Sequence, residues 1–157
     1  MIRTIAIVCL LSLAASAAPK PEAQKPTAQD TMVLIGLMQV FLSEPIQRAR
    51  RFYRAELTEG MSLADFEARF PRSSEGFENF LNLMSFWETV GSLMQKGLVS
   101  EELAFDTFLD SPPWKKVARI FKERRERDHS PLMAVNFEWV AGRAAEWTAR
   151  QEQQHRR

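Results

Sequence analysis

The residues best suited to chemistry in this sequence are carboxylates set among large apolar side chains. Glu88 follows Phe86 and Trp87, and on a helical projection it lies inside the apolar arc, where an unpaired carboxylate is costly. It therefore either pairs with an arginine of a neighbouring helix or acts as an acid or base of raised pKa in a pocket. We expect the ion pair. Asp106 and Glu138 are flanked by aromatic residues and allow the same two interpretations, so the alternative is catalysis by Glu88 with Glu138 or Asp106.

Other catalytic and cofactor-binding signals are missing from the sequence. Its two histidines, His129 and His155, lie in a polar loop and a polar tail, away from the neighbours that hold a catalytic base in place. The sequence has no zinc-protease motif, nucleophile elbow or glycine-rich phosphate loop, and its six glycines are isolated. We therefore expect no metal and no cofactor.

Four arginines within seven residues form a candidate surface contact. They are Arg48, Arg50, Arg51 and Arg54. Such a cluster attracts anionic phospholipid head groups, although the apolar stripe of the same helix is more simply explained by core packing. Stable attachment to a membrane surface usually takes two signals, and the sequence shows one. Glu44 is four residues before Arg48, which predicts an ion pair along the helix.

The N-terminus has the three parts of a secretory signal peptide. Arg3 precedes an apolar run from Ile5 to Ala15, and Ala15-Ser16-Ala17 is a typical cleavage site. We predict cleavage after Ala17 and a periplasmic or secreted protein. The rival is an uncleaved anchor, but the apolar residues 5–18 are fewer than the roughly 20 that a membrane-spanning helix needs.

Cleavage would also change the charge and the cysteine content. The chain has 157 residues, 21 Lys and Arg, 20 Asp and Glu, and one cysteine, Cys9, in the apolar run. Removal of Arg3 and Cys9 would leave a net charge of 20 minus 20, or zero, and no thiol. A chain without excess positive charge is not expected to bind nucleic acid, and one without cysteine has no disulfides.

The predicted domain organisation is simple. Residues 1–17 are the signal peptide and 18–29 a flexible linker rich in Pro, Ala and Lys, which cannot bury enough surface to fold. Residues 30–150 form a single domain, and 151–157 a frayed polar tail.

The domain is predicted to be all-α, a compact bundle of about six helices, because no segment alternates with period two. Ser43, Ser62, Ser74 and Ser100 are placed to cap helices, as are the serines of Ser111-Pro112 and Ser130-Pro131. The longest helix should run from Ser74 to Gly97 and form the centre of the fold. The apolar run Met32 to Leu42 predicts either a deeply buried helix or a docking surface.

A set of short motifs resembles a bacterial family of small helical domains of unknown function. The motifs are Phe86-Trp87-Glu88-Thr89-Val90-Gly91, Gly97-Leu98-Val99, the acidic residue Asp106, Trp114 before a basic helix, and Phe137-Glu138. The resemblance supports the helical fold, carries no activity, and marks Glu88, Gly91, Gly97, Asp106, Trp114 and Glu138 as candidate positions. Local reasoning adds that Gly97 suits a left-handed helix stop and that Gly91 marks a close helix crossing.

Together these observations predict a non-catalytic interaction or scaffolding module of the cell envelope, with a protein as its partner. Its surface combines tryptophan and arginine, which are enriched where proteins bind one another. The enzyme described above and a peripheral membrane binder that uses the arginine helix are the alternatives.

Overall fold

The computed structural model describes residues 27–108 and 112–156, which are helical and contain no β-strand. This confirms the predicted all-α class. The predicted signal peptide and residues 18–26 of the linker lie outside the described residues, as does the proposed cap Ser111. The helices are α1 (Ala28–Leu42), α2 (Glu44–Ala55), α3 (Leu63–Arg69), α4 (Glu75–Gln95), α5 (Glu101–Thr107), α6 (Trp114–Arg127) and α7 (Val135–His155).

Several helix starts follow directly from the local sequence. The side chains of Ser62, Ser74 and Ser100 each accept a hydrogen bond from the backbone N–H three residues later, which satisfies a donor that the helix itself cannot use. Thr27 does the same for α1, and Asp30 accepts a hydrogen bond from the Thr27 N–H in return. This reciprocal cap starts α1 at Ala28, two residues before the predicted domain boundary.

Helix α4 is the centre of the fold, as its broad apolar arc predicts. It packs against α2 and α7, and its buried aromatic rings join these neighbours into one core. Phe80 lies between Tyr53 of α2 and Phe121 of α6, with ring centroids 5.8 and 5.3 Å away. The Tyr53 hydroxyl donates a 3.0 Å hydrogen bond to the carbonyl of Phe80, and burial raises the pKa of Tyr53 well above its usual value.

Two helices begin later than the Ser-Pro pairs predict. Helix α6 starts at Trp114 after Pro113, and α7 starts at Val135 after Ala134, which has a left-handed backbone with φ 56°. Residues 130–133 instead form a turn in which the Met133 N–H donates to the Ser130 carbonyl. The start of α7 is set by a contact from another helix, described below.

Helix α7 also ends later than predicted. It continues to His155, through most of the segment predicted to fray. Ring nitrogen Nδ1 of His155 lies 2.9 Å from the Gln151 carbonyl, and Glu152 lies 3.8 Å from Arg156. These exposed contacts follow the spacing of the last helical turn.

Candidate functional site

Glu88 of α4 caps the N-terminus of α7. Its Oε2 accepts a 2.8 Å hydrogen bond from the backbone N–H of Phe137, and its Oε1 accepts a 2.8 Å bond from Asn136 Nδ2 and a 3.4 Å contact from the Asn136 N–H. Ala134, at the cap position of α7, has no side chain that could fill this role. The carboxylate satisfies backbone donors that the helix leaves unpaired and lies at the positive end of its dipole.

The predicted partner of Glu88 was therefore wrong. We expected an arginine, but its hydrogen-bond donors are the first turn of a helix. Both carboxylate oxygens of Glu88 accept hydrogen bonds from the first turn of α7.

Gly91 lies one turn after Glu88 and faces the same end of α7. A Cβ atom at this position would stand 2.3 Å from the Asn136 carbonyl oxygen and 2.8 Å from its carbon, closer than non-bonded atoms approach. This confirms the predicted close helix crossing. Because the missing side chain lets α7 approach, Glu88 can reach its N–H groups, and the two residues act together.

Glu138 forms the ion pair that was expected of Glu88. Arg125 Nη1 of α6 lies 2.7 Å from Glu138 Oε2, and its Nε donates to the Met133 carbonyl at 2.7 Å. The guanidinium lies 5.7 Å from the ring centroid of Trp114, within the range of a cation–π contact. Arg125 thus ties together α6, the turn before α7 and the first turn of α7.

Trp114 packs against two phenylalanine rings where α6 meets α7. Its ring stacks on Phe121 with centroids 5.5 Å apart and meets Phe137 edge-on at 5.2 Å. Of the candidate positions, Glu88, Gly91, Trp114 and Glu138 therefore converge where α4, α6 and α7 meet. We call these four residues, with Arg125, Asn136 and Phe137, the α7 junction.

The other two candidate positions lie elsewhere. Gly97 ends α4 with a left-handed φ of 66°, and the Leu98 N–H donates back to the Leu93 carbonyl at 2.9 Å, which confirms the predicted helix stop. Asp106 is exposed on α5. The adjacent Phe105 is buried in the core, so the two neighbours face opposite ways.

The ion pairs of helix α2 differ from the predicted pair of Glu44 and Arg48. Glu44 contacts Arg51 at 2.9 Å, and Arg48 instead lies 3.8 Å from Glu75 at the start of α4. The Arg50 guanidinium lies 4.3 Å from the Phe41 ring centroid, so this arginine also packs against α1. Arg54 is exposed at the end of α2.

Two further charged side chains cap helices to which they do not belong. Lys116 Nζ of α6 donates to the carbonyls of Tyr53 and Arg54, at the C-terminal end of α2, at 2.9 and 3.0 Å. Glu123 accepts a 2.7 Å bond from the first N–H of α3, at Leu63. That N–H and the guanidinium of Arg119 hold the pKa of Glu123 below its usual value. The sequence offers no signal for these contacts, because each partner is about 60 residues away.

A surface cleft of about 470 Å³ lies away from the α7 junction. Its charged walls are Glu67, Arg72, Arg127 and Asp128. Arg127 lies 2.7 Å from both Glu67 and Asp128, and its hydrogen bonds lower the pKa of each carboxyl. The cleft contains none of the positions predicted from the sequence.

Helix α1 has one face packed and one face open. Leu34, Leu37 and Phe41 are buried against the bundle. The opposite face, which we call the outward face of α1, consists of Met32, Ile35, Gly36, Gln39, Val40 and Leu42, all exposed. The four large apolar side chains of this face are 75, 55, 50 and 63 % exposed, in chain order. The predicted deeply buried helix is therefore buried on one side only, and the docking surface stays a prediction.

Within residues 27–108 and 112–156, no group of three or more His, Cys, Asp or Glu side chains is arranged for a metal ion. In the same part of the chain, no helix is both long and apolar enough to cross a bilayer.

Comparison with known proteins identifies one family. No curated protein and no solved structure matches the chain. A family model described as a domain of unknown function (DUF4760) matches residues 4–144, which include the whole α7 junction and the N-terminal apolar run. Because the match covers most of the 157 residues, the chain belongs to this family of domains of unknown function.

Proposed function

We propose that the protein is a non-catalytic helical module that holds a protein partner in the cell envelope. The observation that carries the proposal is the use of Glu88, whose two carboxylate oxygens accept hydrogen bonds from the first turn of α7. Glu138 is likewise engaged by Arg125. The motif residues best suited to acid–base chemistry thus hold helices together, which supports a structural role for them.

Export is the second part of the proposal. A charged start, a short apolar run and a small-residue cleavage site support a signal peptide cleaved after Ala17. The family match begins at residue 4 and so includes this segment. Fractionation of the native cells and N-terminal sequencing of the mature protein test export directly. An N-terminus at Ala18 in the periplasmic or extracellular fraction is the expected result, whereas an intact N-terminus would indicate the retained anchor.

The interaction is tested by site-specific photocrosslinking in the native cells. The crosslinker is placed singly at exposed positions on different sides of the bundle, namely Gln39 on α1, Asp106 on α5, Leu132 before α7 and Arg150 on α7. A scaffolding module should give a discrete protein adduct from one side of the bundle. Absence of protein adducts at all four positions would contradict a partner on these surfaces.

A matched pair of variants tests whether the module is non-catalytic. In cells that lack the native protein, Glu88→Gln keeps one oxygen to accept a bond from α7 but removes a titratable carboxylate. If the role of Glu88 is structural, this variant should form the same crosslinked adduct as the original chain and restore cell growth in proportion to its folded fraction. A stable, fully folded Glu88→Gln protein that forms the adduct but restores nothing would favour the enzymatic alternative.

A further inference from the structure

We propose that the outward face of α1 lies on an anionic lipid surface, together with the arginines that follow it on α2. Four of its six residues have large apolar side chains, which are half to three-quarters exposed. Gln39 is the polar exception, and no charged residue occurs between Asp30 and Glu44. Because the inward face of Leu34, Leu37 and Phe41 is buried in the core, this pattern gives α1 a second apolar face in addition to the one that the core requires.

The outward face is better suited to lipid than to a second copy of the chain. A stable protein interface takes roughly 20 to 30 residues a side, and this face offers four large apolar side chains. An interfacial helix needs only an apolar face that enters the head-group boundary and nearby cations that meet the lipid charge. At 15 residues, α1 is too short to span the bilayer, which takes roughly 20 residues, but it can lie along the surface.

The charge distribution of the chain supports an anionic partner. Residues 18–54 carry six Lys and Arg against three Asp and Glu, a net charge of +3, while residues 55–157 carry 14 against 17, a net charge of −3. In the sequence, positive charge is therefore concentrated before and after α1, at Lys20 and Lys25 and at the arginines of α2.

Two of these arginines can exchange their partners for lipid phosphate. Only Ser43 separates α1 from α2, and Arg48 and Arg51 have side chains that are 45 and 62 % exposed. Their ion pairs with Glu75 and Glu44 are on the surface, where such pairs contribute little. The structure thus adds an exposed apolar face to the basic cluster, which gives the two signals that stable surface attachment requires.

Co-sedimentation with vesicles tests this assignment. The protein is purified in the form that the cell makes. It is mixed with vesicles of phosphatidylcholine alone and with vesicles that also contain about 30 % phosphatidylglycerol, an anionic lipid that gives the vesicle a strong negative surface potential. We expect binding to the anionic vesicles that falls as salt is added. Equal binding to both vesicles, or none to either, would overturn the proposal.

Two sets of variants locate the contact. Met32→Gln and Ile35→Gln, alone and together, should weaken partitioning, whereas Leu132→Gln, at a site that is 78 % exposed but distant in sequence, should not. Arg48→Gln/Arg51→Gln should weaken partitioning about tenfold or more, because each basic residue near the surface adds about 1 kcal/mol. The control pair Arg150→Gln/Arg156→Gln removes the same charge from the end of α7.

These outcomes separate the lipid assignment from the proposed protein partner. Circular dichroism checks that each variant is folded, and all the substituted side chains are exposed. If the α1 variants bind as well as the original chain, another segment makes the contact and the assignment to α1 is wrong. The crosslinking experiment can still find a protein partner in that case, and vesicle binding can succeed where crosslinking fails.

Discussion

The backbone N–H of Phe137 donates a 2.8 Å hydrogen bond to the carboxylate of Glu88, 49 residues earlier in the chain. This bond places the negative charge of Glu88, on α4, at the positive N-terminal end of α7. It also explains why α7 begins at Val135 although no side chain of its own caps it. Glu88 therefore sets where α7 starts, and Glu88 and Gly91 together set how closely α7 packs on α4.

Removal of this cap should destabilise the fold. Glu88→Ala leaves two backbone N–H groups without their acceptor and should lower the free energy of unfolding by about 2 kcal/mol, or the Tm by about 8 °C. Glu88→Gln should lose less. Thermal unfolding followed by circular dichroism measures both, with Thr89→Ala, an exposed neighbour, as control. If Glu88→Ala has the same Tm as Thr89→Ala, the cap does not contribute to stability.

The helix crossing at Gly91 should not tolerate a side chain. Gly91→Ala places a carbon 2.3 Å from the Asn136 carbonyl oxygen, so α4 and α7 must separate, at a cost of about 1 to 3 kcal/mol. Gly142→Ala is a matched control, because Gly142 lies within α7 and the added carbon would meet no atom within 4 Å beyond the local backbone of its own helix. That variant should gain up to about 1 kcal/mol. Chemical denaturation of both proteins checks the opposite signs, and equal stabilities would contradict the close contact.

The cap formed by Lys116 should also contribute to stability. Lys116→Met keeps most of the apolar stem but removes two hydrogen bonds to the C-terminal carbonyls of α2, so we expect a loss of about 1 to 2 kcal/mol. Lys115→Met provides the control, since Lys115 is an exposed neighbour on the same helix. Urea denaturation compares the two variants. A larger loss for Lys115→Met would contradict the assignment.

The ion pairs of Arg127 should make stability depend on acid pH. Arg127 lowers the pKa of Glu67 and of Asp128 in the folded protein. A carboxyl whose pKa is lower when folded stabilises the protein above its unfolded pKa, and this contribution is lost as the pH falls through the folded value. The Tm should therefore decrease from about pH 6 to about pH 3, and Arg127→Gln should reduce that decrease. An unchanged pH profile in the variant would show that other carboxyls cause it.

The local sequence predicted most helix starts because a capping side chain and the backbone N–H that donates to it are close in the chain. Ser62, Ser74 and Ser100 each bind an N–H three residues later, so the signal is complete within one turn. The same reasoning failed for Ser130-Pro131. There α7 is capped instead by Glu88, which lies on another helix, and the local sequence around Ser130 does not indicate that contact.

The carboxylate at Glu88 shows a second limit of sequence reasoning. Its place in the apolar arc correctly indicated that it needs a partner, because an isolated buried charge is costly. The arginines in the sequence suggested an ion pair, yet the partner is a set of backbone N–H groups, which every residue except proline carries. Residue types alone therefore could not show whether Glu88 pairs with an arginine or with backbone N–H groups.

The sequence by itself determined an all-helical domain, its central helix, the left-handed stop at Gly97 and the need for a small residue at Gly91, because these depend on periodicity, local caps and side-chain volume. The tertiary structure decided which carboxylate meets Arg125, which helix receives the charge of Glu88, and which side of α1 remains open. Those outcomes depend on distances between segments that lie far apart in the chain, and only the packed core brings them together.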